Sequence, residues 1–178
     1  MNYQVLLSQM LEATLMSLRI FFVTIIFSLP LGLLVAKGRM SKIKIIKLPV
    51  SLYILLMRGT PLMLQLLFFF YALKPIFGIQ LERVMAAEIA FILNYAAYFA
   101  EIFRGGIESI PSGQYEAAKV LGFTHRQTFF RIILPQVIKH IIPPMGNEFI
   151  TLVKDTSLAQ VIGIAELLKV TSNWVSSS

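Results

Sequence analysis

The sequence has no cysteine, which removes disulfides and thiolate metal sites from consideration. Charge is also scarce: 14% of the 178 residues are Asp, Glu, Lys or Arg, against about 25% in an ordinary soluble domain. No Gly-x-x-x-x-Gly-Lys-Ser/Thr phosphate loop is present. The pair Gly105-Gly106 runs on into Ile-Glu-Ser without a lysine to reach a phosphate. There is no His-Glu-x-x-His zinc motif, and neither His125 nor His140 lies near a Gly-x-Ser-x-Gly elbow. Together these absences argue against an ATPase, a zinc hydrolase or a serine hydrolase on this chain. No cofactor and no enzyme activity are expected. No internal repeat or low-complexity linker divides the sequence, so one domain over 1–178 is expected.

Apolar residues are abundant, at 57%, and they come in blocks. Residues 20–36 and 59–73 hold no charge, residues 84–100 hold only Glu88, and 132–153 holds Lys139, His140 and Glu148. Crossing ~30 Å of hydrocarbon takes ~20 largely apolar residues. The chain therefore reads as an all-α polytopic membrane bundle with spans at about 14–36, 48–73, 84–105 and 132–153. Residues 156–168 are apolar but too short to cross alone. Pro135, Pro143 and Pro144 permit a break ahead of them. The half-span 156–170 is then either a re-entrant helix or the upper part of a span begun at 132. A cleaved leader does not fit the N-terminus, whose first basic residue is Arg19 and which lacks an Ala-x-Ala site.

In a soluble chain a net charge of +7 would point to nucleic acid; here it is read as the positive-inside bias, with no nucleic-acid partner. Lys37, Arg39, Lys42, Lys44 and Lys47 crowd one loop, and Arg104, Lys119, Arg126 and Arg131 fall in another. Two spans separate the loops, so both can be cytoplasmic, which leaves 74–83 and the N-terminus outside. Residues 106–131 form the longer cytoplasmic loop. Within it Ser112 is placed to cap a short helix, Gly122 to end it, and Thr124-x-x-Gln127 to begin the next as a capping box. Small Ala117 and Ala118 leave a shallow surface on this short helix, at 113–121, which suits a docking element.

That loop resembles the EAA loop of ATP-binding-cassette importer permeases: Glu116-Ala117-Ala118, then Gly122, then Ile132, Leu134 and Pro135. The tract Arg58-Gly59-Thr60-Pro61-Leu62 with Gln65, and Asn94-Tyr95 through Arg104-Gly105-Gly106-Ile107, resemble permeases of the polar amino acid uptake family. So do Gly146-Asn147-Glu148-Phe149 and Lys154-Asp155-Thr156-Ser157-Leu158. The resemblance implies a type I importer permease in a bacterial plasma (inner) membrane. It implies cytoplasmic ABC ATPase subunits docked at Glu116, Ala117, Ala118 and Gly122, a second permease subunit, identical or different, and an extracytoplasmic substrate-binding protein. Membrane lipid surrounds it. The family typically carries a fifth, C-terminal span, which this sequence stops short of.

Ionisable groups at membrane depth cost about 2.5–3.5 kcal/mol each on insertion scales, so each one calls for a reason. Asn94, Tyr98 and Glu101 fall on one helical stripe, and Glu148, Thr151 and Asp155 on another. Two carboxylates seven residues apart lie ~10.5 Å along one helix face. Such a pair suits the ammonium or guanidinium of a bound amino acid, with Asn94 and exposed backbone N–H groups taking its carboxylate. Thr156 and Ser157 join the candidate set because a break in the span would free backbone there. A cationic amino acid (arginine, lysine or histidine) or glutamine is the expected cargo; methionine, a metal chelate or a peptide are alternatives, and an uncoupled channel is a more distant one. Arg58 and Arg104 are read as snorkelling or gate residues, Glu12 and Arg19 as a structural pair, and Phe68–Tyr71 as lipid- and interface-facing.

Overall fold

A computed structural model describes residues 3–159, and every regular element among them is helical. Helix α1 (Tyr3–Arg39) is followed by α2 (Lys44–Gly59), α3 (Leu62–Phe77) and α4 (Arg83–Glu108). A short α5 (Ser112–Val120) and a single turn, α6 (His125–Thr128), lead into α7 (Leu134–Asp155). One 3-10 turn, Thr156–Leu158, ends the described chain, so most of the expected half-span 156–170 lies outside it.

Residues Leu11–Arg39 and Arg83–Glu108 are each long and apolar enough to cross a membrane, and the α2–α3 pair makes a third crossing if counted as one span. Helix α7, expected to cross at 132–153, is long enough at 22 residues. It is too polar to qualify on composition, with Lys139, His140, Glu148, Lys154 and Asp155 along it.

The segment 48–73 was expected as one continuous span, but the structure bends it by 107° between α2 and α3. Pro61 has no N–H and pushes the residue before it out of the α region. Thr60 is accordingly extended, at φ −117° and ψ 144°. Two widened π turns, Phe68–Ala72 and Phe129–Ile133, each sit just ahead of a proline, Pro75 and Pro135. A π turn relieves the clash between a proline ring and the carbonyl four residues back without ending the helix. Pro143 and Pro144 likewise lie inside an unbroken α7, without the break that they would allow.

Helix α4 is the core. It packs along α1 and touches α2, α3 and α7. Ala86, Ala87, Ala90, Ala96, Ala97 and Ala100 are buried on it, which lets neighbouring backbones come close. Gly32 of α1 meets it so tightly that a Cβ there would lie 3.0 Å from Phe99 Cβ. A Cβ on Gly106 would overlap Ile141 of α7. Across the same bundle Arg19 Nε reaches Glu88 at 2.8 Å, so the partner of Arg19 is on α4 rather than at Glu12. The run Phe68–Tyr71 does not all face outward: successive helical residues are ~100° apart, and Phe69 and Phe70 pack against the core while Phe68 is exposed.

The turn after α5 follows its local chemistry. Gly122 adopts φ +77°, its N–H donates to the Lys119 carbonyl, and the Phe123 N–H donates to Ala118. Thr124 and Gln127 form the reciprocal capping box, with bonds of 2.9 and 3.3 Å. Ser112 is the first residue of α5, not its cap; Pro111 holds the cap position and offers no side-chain bond.

Candidate functional site

The bend at Gly59–Pro61 opens the bundle beside α4 and α7. A cavity of about 520 Å³ lies there, lined by Arg58 and the bend on one side, Asn94, Tyr95 and Tyr98 on the second, and Glu148, Thr151 and Asp155 on the third. Small-molecule sites typically occupy about 300–1,000 Å³. The bend is fixed from α4 and α3. Asn94 Nδ2 donates to the Met57 carbonyl at 2.9 Å and to Gln65 Oε1 at 3.0 Å, and Gln65 Nε2 donates to the Met57 and Thr60 carbonyls. These are carbonyls that the break in the helix would otherwise leave unpaired.

Asp155 enters the cavity half-buried, and the Tyr95 hydroxyl donates to its Oδ2 at 2.7 Å. Glu148, one turn-pair earlier on α7, is also half-buried and has no ion pair within bonding distance among the described residues. The third charge is Arg58. Its guanidinium stacks over the Tyr98 ring, 5.1 Å from the centroid.

A second cavity of about 480 Å³ continues from the first, and Arg58, Tyr98 and Glu148 line both. Its wall carries Glu101, which faces three guanidiniums: Arg104 at 2.7 Å, Arg39 at 3.6 Å and Arg58 at 3.8 Å. Arg104 also bonds Glu108. His140 and Ser109, joined to each other by a hydrogen bond, lie at the far end.

Of the residues singled out from sequence, Asn94, Tyr98, Glu148, Thr151 and Asp155 meet around one cavity, and Glu101 lies in the adjoining one. Asn94 spends its amide N–H groups on the bend, so it shapes the cavity wall and has no donor left over for a ligand carboxylate. The Thr151 hydroxyl donates to the Asn147 carbonyl, which leaves only its lone pairs free. Thr156 and Ser157 face away. They border a different cavity against Ala13 and Phe21 of α1, and their hydroxyls bond Val153 and Lys154. Because α7 stays helical through Asp155, no backbone is freed there.

Sequence reasoning missed Tyr95 and left Arg58 outside the site. Tyr95 was detectable as the i−3 neighbour of Tyr98. Arg58 was not, because its place depends on the angle of the bend. In the cytoplasmic elbow, Glu116 and Ala117 are exposed and Ala118 is buried. Val120 and Leu121 stand bare beside them, 87% and 72% exposed.

With this geometry, the similarities of the chain to known proteins become informative. Residues 28–177 match the family described as the binding-protein-dependent transport system inner membrane component. The L-cystine transport system permease protein TcyB of Bacillus subtilis (strain 168) is 48% identical over 81% of this chain. The chain spans 61% of that relative's length. The octopine transport system permease protein OccM of Rhizobium radiobacter is 39% identical, over 86% of this chain and 67% of its own. Among solved structures, an amino acid ABC transporter crystallised with histidines superposes with a TM-score of 0.79 at 38% identity, covering 92% of this chain and 77% of the other. The MetNI methionine transporter shares the fold at a TM-score of 0.60 and 22% identity, over 85% and 71% of the two chains. The chain belongs to the family of binding-protein-dependent transport system inner membrane components.

Proposed function

We propose that this chain is the permease subunit of an ATP-driven importer of amino acids and that the cavity at the α2–α3 bend holds the cargo. The carrying observation is the meeting of Arg58, Glu148 and Asp155 around one cavity of amino-acid size. An amino acid is a zwitterion. Its ammonium faces Glu148 and Asp155, and its carboxylate faces Arg58, in place of the Asn94 contact expected from sequence. Two carboxylates against one guanidinium leave the wall one negative charge in excess, which favours a cargo with a further cation, such as arginine, lysine or histidine. Relatives named for cystine and octopine support the amino acid class.

The chain is not an enzyme on this reading. Hydrolysis belongs to cytoplasmic ABC ATPase subunits, which dock on α5 through Glu116, Ala117, bare Val120 and Leu121, and the Gly122 turn. A second permease copy completes the pathway, and an extracytoplasmic binding protein delivers the cargo. The basic loops at 37–47 and 104–131 face the cytoplasm, the N-terminus faces outward, and α1, α2–α3, α4 and α7 are the spans.

The test is uptake and substrate-stimulated ATP hydrolysis by the complex reconstituted with its ATPase and binding protein. A charge-assisted hydrogen bond contributes about 1.5–3 kcal/mol. Glu148→Gln and Asp155→Asn should therefore each lower uptake about tenfold to a hundredfold while the complex still assembles. Unchanged uptake in both variants overturns the assignment. Equal uptake of cationic and neutral amino acids would remove the cationic preference and leave the amino acid class standing.

A further inference from the structure

The start of α2 runs against the charge rule for helix ends. A helix N-terminus carries partial positive charge and favours carboxylates. Helix α2 has no acidic residue in its first turn and no side-chain cap. Lys42, Lys44 and Lys47 crowd this end instead, and no aspartate or glutamate occurs between Glu12 and Glu82 to offset them. Lys37 adds a fourth cation from the last turn of α1. Arg39 is different: it turns inward, to Ser51 and Glu101. The four lysines are exposed, and among the described residues none has an ion-pair partner.

Bare aliphatic side chains alternate with these cations. Ile43, Ile45 and Leu48 are 58%, 86% and 74% exposed, and Ile46 is exposed too. A soluble acidic partner would match the lysines and leave these side chains in water. A lipid surface matches both, with phosphates at the ammonium groups and acyl chains beside the aliphatics.

We propose that residues 37–48 form a docking surface for anionic phospholipid headgroups of the cytoplasmic leaflet. The surface consists of side chains: Lys42, Lys44 and Lys47 meet the phosphates, Lys37 widens the patch, and Ile45 and Leu48 sit at the acyl boundary. This rests on the orientation that puts the loop inside, and it is independent of the cargo. Headgroup binding neutralises adverse charge in the first turn of α2. The last turn of the same helix carries Arg58, so the lipid steadies the helix that frames the cavity.

The experiment is native mass spectrometry of the purified full chain in micelles, titrated with phosphatidylglycerol or phosphatidylcholine. The wild type is compared with a Lys42→Gln/Lys44→Gln/Lys47→Gln variant and with an Arg126→Gln/Arg131→Gln variant, which removes two exposed cations elsewhere. Each surface cation is worth about 1 kcal/mol toward an anionic lipid. The triple variant should thus lose phosphatidylglycerol retention by about tenfold or more, with phosphatidylcholine unchanged and the arginine variant close to wild type. Phosphatidylglycerol should also raise the unfolding temperature of the wild type and not of the folded triple variant. Equal loss in both variants would mean undirected attraction and overturn the proposal. So would full competition by millimolar inorganic phosphate, which would indicate a free-anion site, and so would loss of ATPase co-purification with lipid retention intact. If amino acids fail to stimulate hydrolysis while headgroup binding persists, the transport reading falls and this one stands.

Discussion

The elbow from Pro111 to Thr128 and the helix before it, α4, are held in shape by different means. Helix α4 is fixed by its neighbours: alanines against α1, Gly106 against Ile141, Asn94 on the bend and Tyr95 on Asp155. The elbow is fixed by its own backbone chemistry, with Gly122 in the left-handed region and a capping box that starts two residues on. Between Pro111 and Arg131 only Ala118 and Thr128 are buried. A segment that needs no neighbour to keep its shape keeps its surface free for a partner. A segment built from contacts spends its surface on them.

The contrast gives ordered predictions. The largest effect should come from Gly106→Val, which forces a branched side chain into Ile141 and Val137. Overpacking of this kind costs about 1–3 kcal/mol, and thermal unfolding of the purified chain in detergent should show it as a clear drop. An unchanged transition would mean that α4 and α7 do not pack this closely. Asn94→Ala comes next. It takes the donor from the buried Gln65 Oε1 and one of two donors from the Met57 carbonyl, at about 1–3 kcal/mol for a buried group left unpaired. Its signature is local: faster amide hydrogen exchange around residues 57–65, with α1 unchanged. Exchange that rises evenly along the chain would contradict the clamp. Gly122→Ala should have the smallest effect on stability, about 1 kcal/mol from the left-handed conformation. Nothing lies within 4 Å of its added Cβ, so the strain stays in the turn. Affinity for the ATPase should fall more than the unfolding temperature does, and the reverse ordering would break the contrast between the two regions.

The same division explains what could be read in the sequence. The elbow was legible because a capping box and a C-terminal glycine act over a few residues and carry their own signature. The run of α4 was legible from its apolar length, as was the stripe of Asn94, Tyr98 and Glu101. The bend was not anticipated, although Pro61 marks it, because a proline fixes the conformation before it and leaves open how far the next helix turns. Once α2 and α3 meet at 107°, Arg58 swings to the cavity, which no spacing along the chain encodes. Thr156 and Ser157 were misplaced for the opposite reason. The prolines of α7 allow a break, but the helix tolerates them, and the 3-10 turn that follows it carries both hydroxyls away from the cavity.

The second cavity has a consequence for how a cargo leaves the first. On its wall Arg58 and Arg104 face Glu101 and Glu148, so the passage is lined by charges that already have partners of opposite sign. An amino acid moving through it brings a carboxylate that competes with Glu101 for those guanidiniums. Arg58, the more distant of the two from Glu101, is the one positioned to change hands. On the proposed function, transit is an exchange of partners in which the cargo briefly joins the protein's own ion cluster. The route would then be selective for a carboxylate even where the cavity is selective for a cation.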